Sequence, residues 1–182
     1  MSNEFNTRIL IIDDEDVVRE SIRQILMPNP AQTKDYSAAS AALFDEKPTP
    51  VAPPEQLFEY TIQEATNGQD GLEMVRQAIA RYTPFSLIFI DLRMPGWDGL
   101  TTCQKIREID TKAQIYLLTA YSDYSASEIQ ARGGVDVGYL AKPFTPEEII
   151  QLASKATYDW QRLQNLEKLL FAISGRTFDV AP

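Results

Sequence analysis

Five short apolar runs, each followed by a longer stretch of helical periodicity, constrain this chain more than any other feature. The runs are Arg8–Ile12 (RILII), Tyr60–Ala65 (YTIQEA), Ser86–Ile90 (SLIFI), Ile115–Leu118 (IYLL) and Gly138–Ala141 (GYLA). Runs this short, rich in β-branched and aromatic residues, predict buried strands of a parallel sheet. Asp16–Leu26 places Val17, Val18, Ile22, Ile25 and Leu26 on one helical face. Asp70–Ala80 carries Leu72, Val75 and Ile79 at helical spacing, and Asp98–Ile109 opens on a capping Asp-Gly. Ser125–Arg132 is a weaker helix closed by Gly133-Gly134. The last helix takes Thr145 as its N-cap, Pro146 at its first position and Glu147 and Glu148 in its first turn. Strands that alternate with helices require right-handed crossovers. The expected fold is therefore α/β, a five-stranded parallel sheet with five helices covering both faces.

Two segments interrupt the repeat. Residues 28–58 hold six of the 11 prolines and no periodic apolar pattern. They read as a surface insertion between the first helix and the second strand. At the other end, the helical pattern from Pro146 continues through Trp160, Leu163, Leu166, Leu170 and Ile173 until Gly175. About 29 residues span roughly 43 Å, more than one edge of a sheet needs. The spacing of those apolar residues approximates a coiled-coil seam over two heptads. The expected organisation is a domain over 1–154 with the inserted loop 28–58, followed by a helical extension over 155–182.

Composition removes several classes of function. The chain has 182 residues, one cysteine and no histidine. That excludes a disulfide framework, a histidine-containing zinc site, a Ser-His-Asp triad and a Cys-His dyad. A chain without histidine cannot be a phosphohistidine donor. The net charge of −9 argues against direct nucleic-acid binding and against a polybasic membrane patch. Ile9–Ile12 is too short for a signal-peptide core or a membrane span, so a cytoplasmic location is the expectation.

The chemistry sits at the strand ends. Asp13-Asp14-Glu15 follows the first run, Asp91 the third, Thr119 the fourth and Lys142-Pro143 the fifth. In an open parallel α/β sheet, function collects at the carboxyl ends of the strands. Three carboxylates, one hydroxyl and one ammonium are thus expected in a single cleft. Adjacent carboxylates repel unless a cation intervenes. An all-oxygen site of high charge suits a hard divalent ion such as Mg²⁺. One carboxylate is then available as a nucleophile toward phosphorus. Lys142 and Thr119 can offset charge developing on phosphoryl oxygens.

Asp13-Asp14, DLRMPGWDG at Asp91–Gly99, LLTA at Leu117–Ala120 and KPF at Lys142–Phe144 together resemble a bacterial response-regulator receiver domain of the CheY-like kind. Without residues 28–58 and 155–182, about 123 residues remain, an ordinary domain size. The resemblance implies a flavodoxin-like strand order of 2-1-3-4-5. It implies Asp91 as phosphoacceptor, with Asp13, Asp14, Asp91 and the main-chain carbonyl of Arg93 around Mg²⁺. It assigns Thr119 and Lys142 to the phosphoryl group, Thr119 and Tyr139 to a conformational switch, and a cis bond to Lys142-Pro143. The implied partners are a histidine kinase or phosphotransfer protein and a downstream effector; separately, the length and apolar seam of the last helix make a homodimer through it an expectation. Such a protein is an autocatalytic acceptor of phosphate, not a turnover enzyme on a separate substrate. Arg93 and Tyr121 border the path of attacking water and are expected to tune phosphate lifetime.

Other readings fit less well. A haloacid-dehalogenase-like phosphatase needs a second acid two residues after its nucleophile, where Arg93 stands here. A flavodoxin-like cofactor binder needs a Gly- or Ser/Thr-rich phosphate loop after the first strand, and none follows Ile12. A receiver portion of a larger signalling protein, or a protein-binding module with weak phosphorylation, remain alternatives to a stand-alone adapter.

Overall fold

The computed structural model describes residues 5–27, 58–120 and 137–174. Its elements are β1 (Arg8–Ile12), α1 (Asp16–Leu26), β2 (Thr61–Ala65), α2 (Gly68–Ala80), β3 (Leu87–Asp91), α3 (Gly99–Arg107), β4 (Gln114–Ala120), β5 (Val137–Lys142) and α4 (Pro146–Ser174). All strand pairs are parallel, in the order β2-β1-β3-β4-β5. The sheet is thus the one expected. Four helices lie among the described residues. The helix expected over Ser125–Arg132, and all of the insertion but Phe58, lie outside them.

Side chains on a strand alternate between faces, so each strand feeds two cores. Leu10, Ile12, Ile88, Ile90, Ile115 and Leu117 pack with Val75 of α2 and Leu100, Cys103 and Ile106 of α3. Ile9, Ile11, Leu87, Phe89, Leu118 and Leu140 pack with Ile22 and Leu26 of α1 and Ile149, Ala153 and Ala156 of α4. Each fully buried Ile or Leu contributes about 1.5–3 kcal/mol. Cys103 has no exposed surface, and burial pushes its thiol up to about 11, which suppresses the reactive thiolate.

Capping residues set the helix starts. Asn67 accepts from the amide of Asp70 at 2.9 Å, so α2 begins at Gly68, two residues earlier than its apolar pattern indicates. Asp98 accepts from the amide of Thr101 at 2.7 Å. At α4 the Thr145 hydroxyl accepts from the Glu148 amide at 3.3 Å, while Glu148 accepts from the Thr145 amide at 2.7 Å. That reciprocal pair is a capping box.

One expected core position is corrected. Val17 is 80% exposed, and the buried residues of α1 are Arg19, Ile22 and Leu26. Val17 and Ile22 are five residues apart, which rotates them by roughly 140° around the helix axis. In α4, Trp160 is buried against the body. Beyond it Leu163, Leu166, Leu169, Leu170 and Ile173 are exposed, and an ion pair of Lys112 with Glu167 at 2.7 Å ties this part to the loop before β4. Among the described residues, no helix is long and apolar enough to cross a membrane.

Candidate functional site

The register of the sheet assembles the site. Ile12 pairs with Ile90, so Asp13 and Asp91 follow at the same level on adjacent strands. Asp91 pairs with Leu118, so Thr119 stands one residue further along β4. Ala120 pairs with Lys142, which brings the lysine to the same end of the sheet. Asp13, Asp14 and Asp91 each offer an oxygen within 4.8 Å of the other two. Asp13 and Asp91 are buried, whereas Asp14 is exposed and forms the open side. Oxygen donors of this charge and spacing suit a hard divalent cation.

Lys142 bridges the cluster. Its Nζ donates to Asp91 Oδ1 at 2.7 Å and to Asp13 Oδ2 at 3.0 Å. Glu15 stands 3.9 Å away at the rim. Burial works against the charge on Lys142, yet its bonds to Asp91 and Asp13 hold the ammonium above the ordinary lysine value. Burial pushes the Asp91 carboxyl above its ordinary value, and the Lys142 bond and charge pull it back only in part.

The backbone fixes both acids. Asp13 accepts from the Glu15 amide at 2.8 Å, and its own amide donates to the Ala65 carbonyl at 3.1 Å. Asp91 accepts from the Arg93 amide at 2.9 Å. After it, Gly96 takes a φ of +84°, open to glycine without strain. Gly99 then lets α3 approach so closely that a Cβ there would meet the Asp91 carbonyl. The Thr119 hydroxyl donates to the Ala120 carbonyl at 3.0 Å. Tyr139 on β5 is 51% exposed. The Lys142-Pro143 bond is cis. Trp97 is half-buried, and the Arg93 side chain is exposed. Tyr121 lies outside the described residues.

Comparison with known proteins bears on this geometry. The family model for the response regulator receiver domain matches residues 44–154, more than half the chain. The chain belongs to that family. As a receiver it is 27% identical over 156 residues to the nitrate/nitrite response regulator protein NarL of Escherichia coli K12, covering 86% of this chain and 57% of NarL. It is 32% identical over 143 residues to the response regulator MprA of Mycobacterium leprae, covering 79% of this chain and 47% of MprA. The receiver spans about half the length of these curated relatives. The solved REC domain of AraT, a response regulator from Geobacillus stearothermophilus, superposes with a TM-score of 0.58 at 26% identity. That match covers 87% of this chain and 98% of AraT's domain. The family match starts at 44, so β1 and its two aspartates fall outside it. The sheet nevertheless places that strand between β2 and β3 of the receiver.

Sequence reading missed one buried group beside the site. Arg19 is only 6% exposed and donates to the Asp13 carbonyl at 2.5 Å. Its signal was present: Arg19, Ile22 and Leu26 are spaced by three and four residues, as one buried stripe requires.

Proposed function

We propose that this receiver accepts a phosphoryl group on Asp91 and uses it to change a partner-binding face. The observation that carries this reading is the Asp13–Lys142–Asp91 bridge beside Asp14, at the ends of adjacent strands. The donor is a phosphohistidine on a kinase or phosphotransfer protein, or a small acyl phosphate. An Asp91 oxygen attacks phosphorus. The bond from phosphorus to the histidine nitrogen breaks, and the electron pair stays with the imidazole, which takes up a proton. Asp13, Asp14, Asp91 and the Arg93 carbonyl would hold Mg²⁺, which neutralises charge on the phosphoryl oxygens. Lys142 keeps its bond to Asp13 while turning toward the new oxygens. Thr119 exchanges its bond to the Ala120 carbonyl for one to phosphate, and Tyr139 turns inward from its exposed position. The phosphate needs only to shift an existing equilibrium by a few kcal/mol.

Incubation with acetyl phosphate and Mg²⁺, followed by intact-mass measurement and borohydride trapping, tests this. One phosphoryl group mapping to Asp91 supports it. Modification mapping to another residue, or none with acetyl phosphate and a panel of histidine kinases, overturns it.

Leu163, Leu166, Leu169, Leu170 and Ile173, exposed on the far half of α4, favour a second element of the reading. Two copies pair through this stripe, burying apolar surface that a single copy leaves in water. Sedimentation is expected to show a dimer that Leu166→Glu with Leu170→Glu converts to monomer while the α/β circular dichroism persists. Identical sedimentation of both proteins refutes the pairing. In a longer protein, the same helix would pass the signal to an effector domain.

A further inference from the structure

Among the described residues, Arg19 and Asp110 are buried charges that the proposed chemistry does not use, and Arg19 is the one that touches the acid cluster. It lies on the inner stripe of α1 with Ile22 and Leu26. A guanidinium taken out of water is costly unless its donors are satisfied, and here three acceptors from different parts of the chain satisfy it. Nη1 donates to the Asp13 main-chain carbonyl at 2.5 Å, and Nη2 to the Asp16 carboxylate. Nε donates to Glu64 at 3.4 Å. Glu64, at the end of β2, is also paired with Arg23 at 3.3 Å.

The contact to Asp13 has consequences for Asp14. The Asp13 carbonyl and the Asp14 nitrogen and Cα belong to one planar unit. A donor fixed on that oxygen therefore fixes the direction in which the chain leaves β1. The other side of Asp13 is fixed by the Ala65 carbonyl, which accepts the Asp13 amide. Without Arg19, the Asp13 carbonyl is a buried acceptor lacking its partner, and the peptide is free to rotate toward water.

We infer that Arg19 is a positioning residue for divalent-cation binding: it clamps the Asp13–Asp14 peptide to α1 and, through Glu64, to the end of β2. This rests on the proposed metal role of Asp13, Asp14 and Asp91. Arginine is required because one planar fork reaches the carbonyl and both carboxylates, whereas a lysine ammonium on its flexible stem serves them poorly.

Mn²⁺ binding followed by water-proton relaxation tests the clamp at a temperature where circular dichroism shows each variant folded. Arg19→Met is expected to weaken Mn²⁺ binding by about 10- to 100-fold, as loss of partners behind metal ligands does elsewhere. Arg19→Lys should recover only part of the loss, and Glu64→Gln should give a smaller loss in the same direction. In metal-free protein, the Glu15 amide, which donates to Asp13, should exchange its hydrogen faster in Arg19→Met. Mn²⁺ affinity within about twofold of the unsubstituted protein in folded Arg19→Met overturns the inference. If that variant does not fold, unchanged affinity in both Arg19→Lys and Glu64→Gln overturns it. Failure of the unsubstituted protein to bind Mn²⁺, or undiminished binding in Asp91→Asn, instead overturns the metal reading itself.

Discussion

Asp91→Asn is expected to abolish phosphoryl incorporation, because an amide offers no anionic oxygen to attack phosphorus. Radiolabel from acetyl phosphate should fall to background, and borohydride trapping should find no modified site. The fold should persist. Asn is nearly isosteric and can still accept from either Lys142 or the Arg93 amide, both of which donate to Asp91. The effect on stability has a definite sign. Burial raises the Asp91 carboxyl above the ordinary aspartate value, so the folded protein holds that proton more tightly than the unfolded chain does. Above the unfolded value, the ionised group therefore subtracts from stability, and this cost is relieved as pH falls through the raised folded value. Asp91→Asn removes the cost, so its metal-free melting temperature at neutral pH should equal or exceed that of the unsubstituted protein. The gap should close as pH falls toward the ordinary aspartate range. Residual label at another position would mean that the acceptor is not Asp91.

Lys142→Met is expected to move two measurements in opposite directions. Lys142 is the cation shared by Asp13 and Asp91. Removing it leaves the carboxylates facing one another, and their repulsion favours a divalent ion over an empty cluster. Mg²⁺ binding should therefore tighten, and the melting temperature should depend more strongly on added Mg²⁺. Phosphoryl transfer from acetyl phosphate should nevertheless slow by about 10²–10³-fold at saturating Mg²⁺, the usual effect of deleting one charge-stabilising donor. A variant that merely unfolds would lose both properties together. Weaker Mg²⁺ binding with an unchanged maximal rate would show that Lys142 holds the cluster but does not assist transfer.

Much of this architecture is legible in the sequence. β1 and α1 have the boundaries their apolar patterns indicate, and parallel pairing follows from strands that alternate with helices. The gathering of Asp13, Asp14, Asp91 and Lys142 follows from strand ends alone, since parallel strands share one carboxyl edge. Other features were hidden for identifiable reasons. Val17 looked like core because valine is apolar, but its rotation around α1 puts it in water. Arg19 shares the 19-22-26 stripe with Ile22 and Leu26, but the acceptors that make its burial tolerable, at Asp13, Asp16 and Glu64, show only in the fold. α2 starts early because Asn67 supplies a cap, which hydrophobic periodicity does not register. Trp160 reads as part of a coiled-coil seam but closes the body instead, so the exposed stripe of α4 begins only at Leu163.

The sheet's direction separates two kinds of constraint. α1 leaves the acid cluster at Asp16 and ends at Leu26, and β2 starts at Thr61, level with Arg8 at the amino edge. Residues 28–57 are thus joined to the body at the pole opposite the aspartates, and α4 likewise reaches that pole after starting near Lys142. A change of length there costs little, since each doubling of a connecting loop adds only about 0.6 kcal/mol. The amino edge, where α1 ends at Leu26 and β2 begins at Thr61, stands a full strand's length from Asp91.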